Sequence, residues 1–514
     1  MTVQRPDIVL LVLDTQRRDR LSCYGAEREV TPQLDRLAAT ATRFERAFTT
    51  AQWTVPSHAS MFTGRYPLAH ATTQSSSVLP LSIPTLAERL RDGGYHTAAF
   101  CNNPLVGVVN NGLRRGFFSF LNYSGLLTSR PNQAGIHPNP LDRYRQFFKR
   151  ALSELMTRIQ TSFSRSDLLL RISWTPLMAP LWQTALSFKG NTARSLSDAA
   201  RLLSERRGLA PDQPAFAFIN LMECHTPYHP QPRWLERFAP EMLRSKAARS
   251  FIRRFNHDVF GWLTLLSGAI DAERKASLDA VYTAETANQD DLVGQFVERL
   301  RASGRLDRTL LVVCADHGEH LGEKQLMGHS IAAYNELLHV PLIIRDPAGD
   351  LPQGSLRADT ISTRRIFQTA LSAAGLASPD EQRFSLARDP ANDPDGGAIF
   401  AESITPQNVL NLLTRRRPEL VRERRVAEQR RVVLSAGYKL IQTGSDGVEL
   451  YDLQADPHEL TDLSTLLPER VDELQDQLAA YVSRGAALAP TAGRHSDEED
   501  PEVRKRLRDL GYLE

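Results

Sequence analysis

Cysteine is scarce in this chain. Cys23, Cys101, Cys224 and Cys314 are the only four among 514 residues, and no two share CxxC spacing. That excludes a zinc knuckle and a disulfide framework. Long apolar runs are also missing, since no segment approaches the ~18 consecutive apolar residues of a membrane span. The N-terminus has no secretory leader pattern, because the apolar run from Ile8 to Leu13 stops at Asp14 with neither a charged start nor a small-residue cleavage site. Net charge is nearly absent: 62 Lys plus Arg against 60 Asp plus Glu leaves +2, so nothing global recruits nucleic acid. Internal repeats and low-complexity tracts are lacking. A cytoplasmic protein is expected, with export by an atypical route as the alternative. The hydrophobic fraction of 41% and charged fraction of 24% describe a globular chain, long enough to bury one large core and a smaller one.

Several apolar runs end in chemistry. Asp7 to Asp14 is continuously apolar between two acids, the pattern of a strand buried on both faces of a parallel sheet. Tyr95–Cys101, Pro214–Leu221 and Leu310–Cys314 read the same way. Ligand sites in such sheets lie beyond the carboxyl ends of the strands. Those ends carry Asp14, then Asn102-Asn103-Pro104, then His225-Thr226-Pro227, and finally Asp316-His317-Gly318, where the glycine is expected to relax the backbone for a turn. Thr31–Ala38 and Ile83–Asp92 read as helices.

The stretch from Trp53 to Gly64 places a hydroxyl residue two positions before Pro56 and ends in glycine. This predicts a short helix with Thr54 just before its first turn. Free N–H groups and the positive dipole end would draw an anion there. Thr54 is therefore a candidate nucleophile, with a plain helix cap as the alternative.

Residues 54–67, Thr-Val-Pro-Ser-His-Ala-Ser-Met-Phe-Thr-Gly-Arg-Tyr-Pro, resemble the active-site signature of the sulfatase family, within the alkaline phosphatase superfamily. Sulfatases carry Cys or Ser at the first position, converted to formylglycine, and Arg four residues later. Here these positions hold Thr54 and His58. Threonine nucleophiles occur in superfamily relatives that cleave phosphate esters. The segment from Asp14 to Gly25 resembles the family's opening segment, where a pair of acids holds the metal, with Thr15 in the second slot. Asp316-His317-Gly318 resembles its second metal segment, in which sulfatases commonly have Asn and phosphate-cleaving relatives often have His. Residues 322–344 continue the likeness, with His329 where a leaving-group Lys is usual.

The resemblance implies one divalent metal held by Asp14, Asp316 and His317, with the Thr54 oxygen as a further ligand. Imidazole favours manganese or zinc, while calcium and magnesium stay open. His58 would hold a nonbridging oxygen, His225 or His329 would assist the leaving group, Asn103 would line the substrate pocket, and Lys324 is the alternative to His329 as the source of positive charge. A metal-dependent ester hydrolase is expected, with a phosphomonoester or phosphodiester as the favoured small anionic substrate. Sulfate-ester hydrolysis, phosphoryl transfer to an alcohol, and a noncatalytic binding protein on a sulfatase scaffold are the alternatives.

The expected fold is α/β: a mostly parallel central sheet sandwiched by helices, alkaline phosphatase/sulfatase-like, with a small α+β C-terminal subdomain. The catalytic domain is placed at residues 1–396 with a helical insertion at about 120–200, the antiparallel-sheet subdomain at 397–490 and a tail at 491–514. Within the insertion, Tyr144, Phe148, Leu152, Leu155 and Ile159 recur at helical spacing. The stretch around 165–190 offers a lid, a partner surface or a peripheral membrane contact as alternatives to a packed insertion. In the subdomain, strands are expected at Ala398–Glu402, Val432–Thr443 and Gly447–Leu453, followed by a helix from Pro468 to Val482. The arginine cluster from Arg415 to Arg431 reads as a solvated surface, with an anionic partner as the alternative. The acidic tail from Ser496 is a candidate contact with a neighbour, and a homo-oligomer stays open.

Overall fold

The computed structural model describes residues 5–123 and 189–489, apart from short breaks at 207, 211, 266–267, 269, 391–392 and 394, together with two-residue strands at 132–133 and 493–494. The helix expected through Tyr144–Ile159, the stretch from Leu168 to Phe188 and the acidic tail from Ser496 lie outside the described residues.

The central sheet is built from β1 (Asp7–Leu13), β2 (Thr42–Phe48), β3 (His96–Cys101), β4 (Ser119–Asn122), β5 (Ala215–Leu221), β6 (Thr309–Cys314), β7 (Leu342–Arg345) and β8 (Ser355–Ser362). Across the sheet the order β2-β7-β6-β1-β5-β3-β4 holds, with β8 also paired to β2. β6, β1, β5, β3 and β4 run parallel, and β7 is antiparallel to both its neighbours. The mostly parallel sheet expected from the apolar runs is what forms.

Alternate side chains of β1 feed opposite cores. Ile8, Leu10 and Val12 join α2 (Thr54–Thr63), α3 (Leu86–Asp92) and α6 (Ile366–Ala373) on one face. Val9, Leu11 and Leu13 join α1 (Pro32–Ala38), α4 (Thr192–Glu205) and α5 (Ala272–Ala302) on the other. With both faces covered, each buried Val, Leu or Ile contributes about 1.5–3 kcal/mol, which is why these strands tolerate no internal charge. α3 starts at Leu86, later than expected, because Thr85 and Glu88 form a capping box at that point.

The sheet register sets up the site. Leu13 pairs with Leu221, Val12 with Cys314, and Cys101 with Asn220. The carboxyl ends of four strands therefore finish level, and the residues that follow them meet.

The C-terminal sheet comprises β9 (Ile399–Ser403), β10 (Arg430–Ser435), β11 (Tyr438–Thr443) and β12 (Gly447–Asp452), all antiparallel in sequence order. The single strand expected over Val432–Thr443 is two: Ala436 and Gly437 both take positive φ, 49° and 85°, the geometry of a two-residue hairpin turn. α7 (Pro468–Leu488) packs on one face of this sheet through Leu474, Leu478 and Tyr481. It runs past the expected end at Val482 to Leu488, and in the added turns Gly485 packs closely on Leu68, whose Cδ2 a Cβ would approach to 2.5 Å. Within the basic stretch, Arg416 pairs with Asp258, Arg417 with Glu419, and Arg425 with Glu428 and Asp446. No helix among the described residues is long and apolar enough to cross a membrane, and all four cysteines are free.

Candidate active site

Asp14 follows β1 directly, and Asp316 and His317 lie just past β6. Their ligand atoms come within 4.8 Å of one another, and all three side chains are buried. Asp14 Oδ2 accepts from Asn103 Nδ2 at 2.6 Å and from Asn220 Nδ2 at 3.2 Å. Asp316 Oδ1 accepts from the backbone N–H of Thr15 at 3.2 Å and of His317 at 2.9 Å. Thr15, which stands in the second acid slot, thus serves through its backbone and takes a left-handed φ of 57° to do so.

Each carboxylate keeps one oxygen back: Asp14 Oδ1 and Asp316 Oδ2 are buried without a hydrogen-bond partner. Burial first, and then the charge of Asp14, pushes the Asp316 carboxyl well above the usual range. His317 Nδ1 donates to Gly318 O at 2.9 Å, leaving Nε2 as the acceptor. Burial, then the neighbouring His329, pushes its pKa well down, so the ring is neutral. Two orphaned carboxylate oxygens facing a neutral imidazole nitrogen fit a divalent cation, and the backbone-anchored imidazole is the support such ligands need.

Gly318 is needed for a reason other than a positive φ. A Cβ there would lie 2.0 Å from Glu336 O, so only glycine lets the two backbones approach.

α2 brings Thr54 to this cluster. Trp53 is the extended N-cap and Thr54 the first helical residue, one position inside the expected cap. Thr54 Oγ1 lies 3.4 Å from His317 Nε2. Ser57 Oγ donates to Asp316 O at 2.7 Å, which pins the helix start to the acid-bearing turn.

His58 is fully buried, and burial lowers its pKa. Nδ1 donates to Thr54 O at 2.9 Å, and Nε2 lies 3.4 Å from Asn220 Nδ2. Both nitrogens therefore face protein partners. Two further imidazoles follow, one tilted against His317 and the next edge-on to the first. The ring of His329 lies 4.5 Å from that of His317 and 5.2 Å from that of His225. His225 Nδ1 donates to Thr226 O at 2.6 Å, while its Nε2 has no partner.

Lys324 is not drawn in. Its ammonium donates to His458 O at 2.6 Å, lies 3.7 Å from Glu336 and stands over the Tyr334 ring. Sequence reasoning passed over Asn220, which bridges Asp14 and His58, and Glu319, which accepts from His329 Nδ1 at 3.0 Å. An asparagine inside an otherwise apolar strand was the available signal for the first.

A family model described as Sulfatase matches residues 6–376. The chain belongs to the sulfatase family. An arylsulfatase of Clostridium perfringens is 23% identical over 495 residues, covering 92% of this chain and 93% of that protein. The multifunctional alkaline phosphatase superfamily protein PehA of Trinickia caryophylli is 24% identical over 407 residues, covering 73% of this chain and 75% of that protein. The solved phosphonate monoester hydrolase of Agrobacterium radiobacter superposes with a TM-score of 0.64 at 22% identity, over 93% of this chain and 96% of that one. The fold expected from the motif resemblance is thereby shared. Sulfatase-family enzymes are metal-dependent ester hydrolases, and Asp14, Asp316 and His317 form the candidate metal group of this sulfatase-family chain.

Proposed function

We propose that this enzyme hydrolyses phosphate esters with Thr54 as its nucleophile. The observation that carries the reading is the placement of Thr54 Oγ1 at the buried start of α2, 3.4 Å from His317 Nε2 and thus against the metal-fitting group. Asp14, Asp316 and His317 would hold one divalent ion, manganese or zinc first, with Thr54 Oγ1 as a further ligand. Bound there, the ion would supply Lewis-acid stabilisation of the substrate anion and lower the pKa of the threonine hydroxyl.

Thr54 gives up its proton to solvent, and its Oγ1 bonds to phosphorus as the bond to the departing alcohol breaks. His329 is placed to protonate that alcohol. Burial disfavours its imidazolium, but the Glu319 carboxylate outweighs burial and holds the pKa above the ordinary value. His225, with its partnerless Nε2, is a polar contact for the same group. Water then cleaves the phosphothreonine. His58 and Asn220 hold the Thr54 carbonyl and Asp14 in place, and Asn103 donates to the same Asp14 oxygen as Asn220.

Phosphate is favoured over sulfate for two reasons. Thr54 cannot be converted to formylglycine, whose hemiacetal collapse releases sulfate in the relatives it resembles. His317 stands where phosphate-cleaving relatives often have histidine. The four free cysteines support a reducing, cytoplasmic setting.

The test is turnover of 4-nitrophenyl phosphate, bis-4-nitrophenyl phosphate and 4-nitrophenyl sulfate with added manganese or zinc, by the wild type and Thr54→Ala. Thr54-dependent cleavage of a phosphate ester supports the reading. Turnover of the sulfate alone overturns the substrate assignment.

A further inference from the structure

His329 reaches the site on a short hairpin. His320–Leu321 pairs antiparallel with Met327–Gly328, in the register Leu321 to Met327 and His320 to Gly328. The next positions outward are Glu319 and His329, so they face each other across the end of the ladder as cross-strand neighbours. Glu319 Oε1 lies 3.0 Å from His329 Nδ1. Gly328, at φ +75°, lets the chain pass close: a Cβ there would lie 3.0 Å from Leu263 Cδ2 and 3.7 Å from Glu319 Oε1. Glu319 is buried, and its other oxygen, Oε2, has no hydrogen-bond partner. A buried carboxylate with one partner is a poor stabilising device. Its geometry is that of an orienting group.

We propose that Glu319 is a positioning residue that accepts from Nδ1–H of His329 and fixes its ring plane, so that the Nε2–H of the imidazolium is the donor presented to the leaving group. This rests on the reading of His329 as the residue that serves the leaving group. Glu319 therefore acts selectively. An alkyl alcohol leaves poorly without help, whereas nitrophenolate leaves unaided, and only the first depends on how His329 is held.

The experiment compares metal-loaded wild type, Glu319→Ala, Glu319→Gln and His329→Gln on a 4-nitrophenyl and an alkyl ester of the same phosphate, with metal content measured on each preparation. Glu319→Ala should lose about 10–100-fold in kcat/KM on the alkyl ester, the range for lost orienting partners, with little change on the nitrophenyl ester and full metal content. Glu319→Gln keeps an acceptor for Nδ1–H and, assayed at a pH low enough for His329 to stay protonated without the carboxylate, should recover most of the loss. Equal losses on both esters, or loss of metal, would make Glu319 a structural or metal-supporting residue and overturn the proposal. If His329→Gln shows no dependence on the leaving group, the reading of His329 fails by itself.

The Nδ1–H preference that Glu319 imposes is then read without turnover, from histidine 15N–1H correlation spectra of selectively labelled protein at a pH where the His329 ring is neutral. Wild type and Glu319→Gln should show His329 protonated at Nδ1. A shift to the Nε2–H form in Glu319→Ala supports the proposal, and an unchanged tautomer contradicts it.

Discussion

His329 and Glu319 form a part-buried pair, with Nδ1 of the ring 3.0 Å from Oε1 of the carboxylate and side-chain exposures of 12% and 1%. Burial works against the imidazolium, and the carboxylate overrides it, so the folded pKa lies above the ordinary value. The proton is held at pH values where a free imidazole has lost it. Turnover of an alkyl phosphate ester should stay level through the ordinary histidine range and fall only as pH rises through the raised pKa. His329→Gln should remove that fall and lower the rate about 10²–10⁴-fold. A pH–rate profile of both proteins checks this.

Asp316 carries the opposite liability. Burial and the neighbouring Asp14 raise its folded pKa, so the metal-free folded state binds more protons than the unfolded chain. Its stability should drop as pH rises above the ordinary aspartate pKa towards the raised one. Asp316→Asn should flatten that drop and lose the stabilisation by metal, which for wild type is about 2.7 kcal/mol at a free ion concentration 100 times Kd. Urea unfolding at several pH values, with and without manganese, reads both effects.

Asn220 reaches two functional groups at once, Asp14 Oδ2 at 3.2 Å and His58 Nε2 at 3.4 Å. Asn220→Leu keeps the volume in β5 and removes the donor. Metal affinity should weaken about 10–100-fold, with the fold preserved. Isothermal titration with manganese measures it, and unchanged affinity would mean Asn220 only fills space.

Arg17 anchors the loop after β1 by pairing with Asp19 at 2.7 Å and Glu323 at 2.8 Å. Burial opposes both charges, yet Arg17 outweighs it and holds Asp19 down to about 2, with Glu323 also lowered. Depressed folded pKa values give stability that is complete above the unfolded carboxylate pKa and is lost as pH falls through the folded one. Arg17→Met should therefore be less stable than wild type at pH 7, and the gap should close between about pH 4.5 and pH 2. Denaturant midpoints across that window test the sign.

Much of this was legible because parallel strands buried on both faces leave uninterrupted apolar runs, and function sits where those runs stop. Asp14, Asp316 and His317 were found that way. Thr54 was found from Pro56 and Gly64, one position away from its true place, since Trp53 takes the cap. What stayed hidden depends on long-range register. Asn220 meets Asp14 across 206 positions, inside a strand whose neighbours gave no hint of its direction. Glu319 meets His329 only through the pairing of Leu321 with Met327. Lys324 looked equivalent to His329 in sequence, but a left-handed φ of 51° in its turn accompanies a side chain directed to His458. The split between β10 and β11 was missed because Ala436-Gly437 is a weak turn signal compared with Asn-Gly or Asp-Gly.

The central claim is that Thr54 is the nucleophile, and acid-quenched turnover of a phosphate ester tests it most directly. The tryptic peptide Ala47–Arg65, isolated from metal-loaded enzyme during steady-state turnover and sequenced by mass spectrometry, should carry phosphate on Thr54. The signal should vanish in Thr54→Ala together with activity, a fall of at least about 10³-fold. Turnover with an unmodified Thr54, or with phosphate on another residue, would contradict the account.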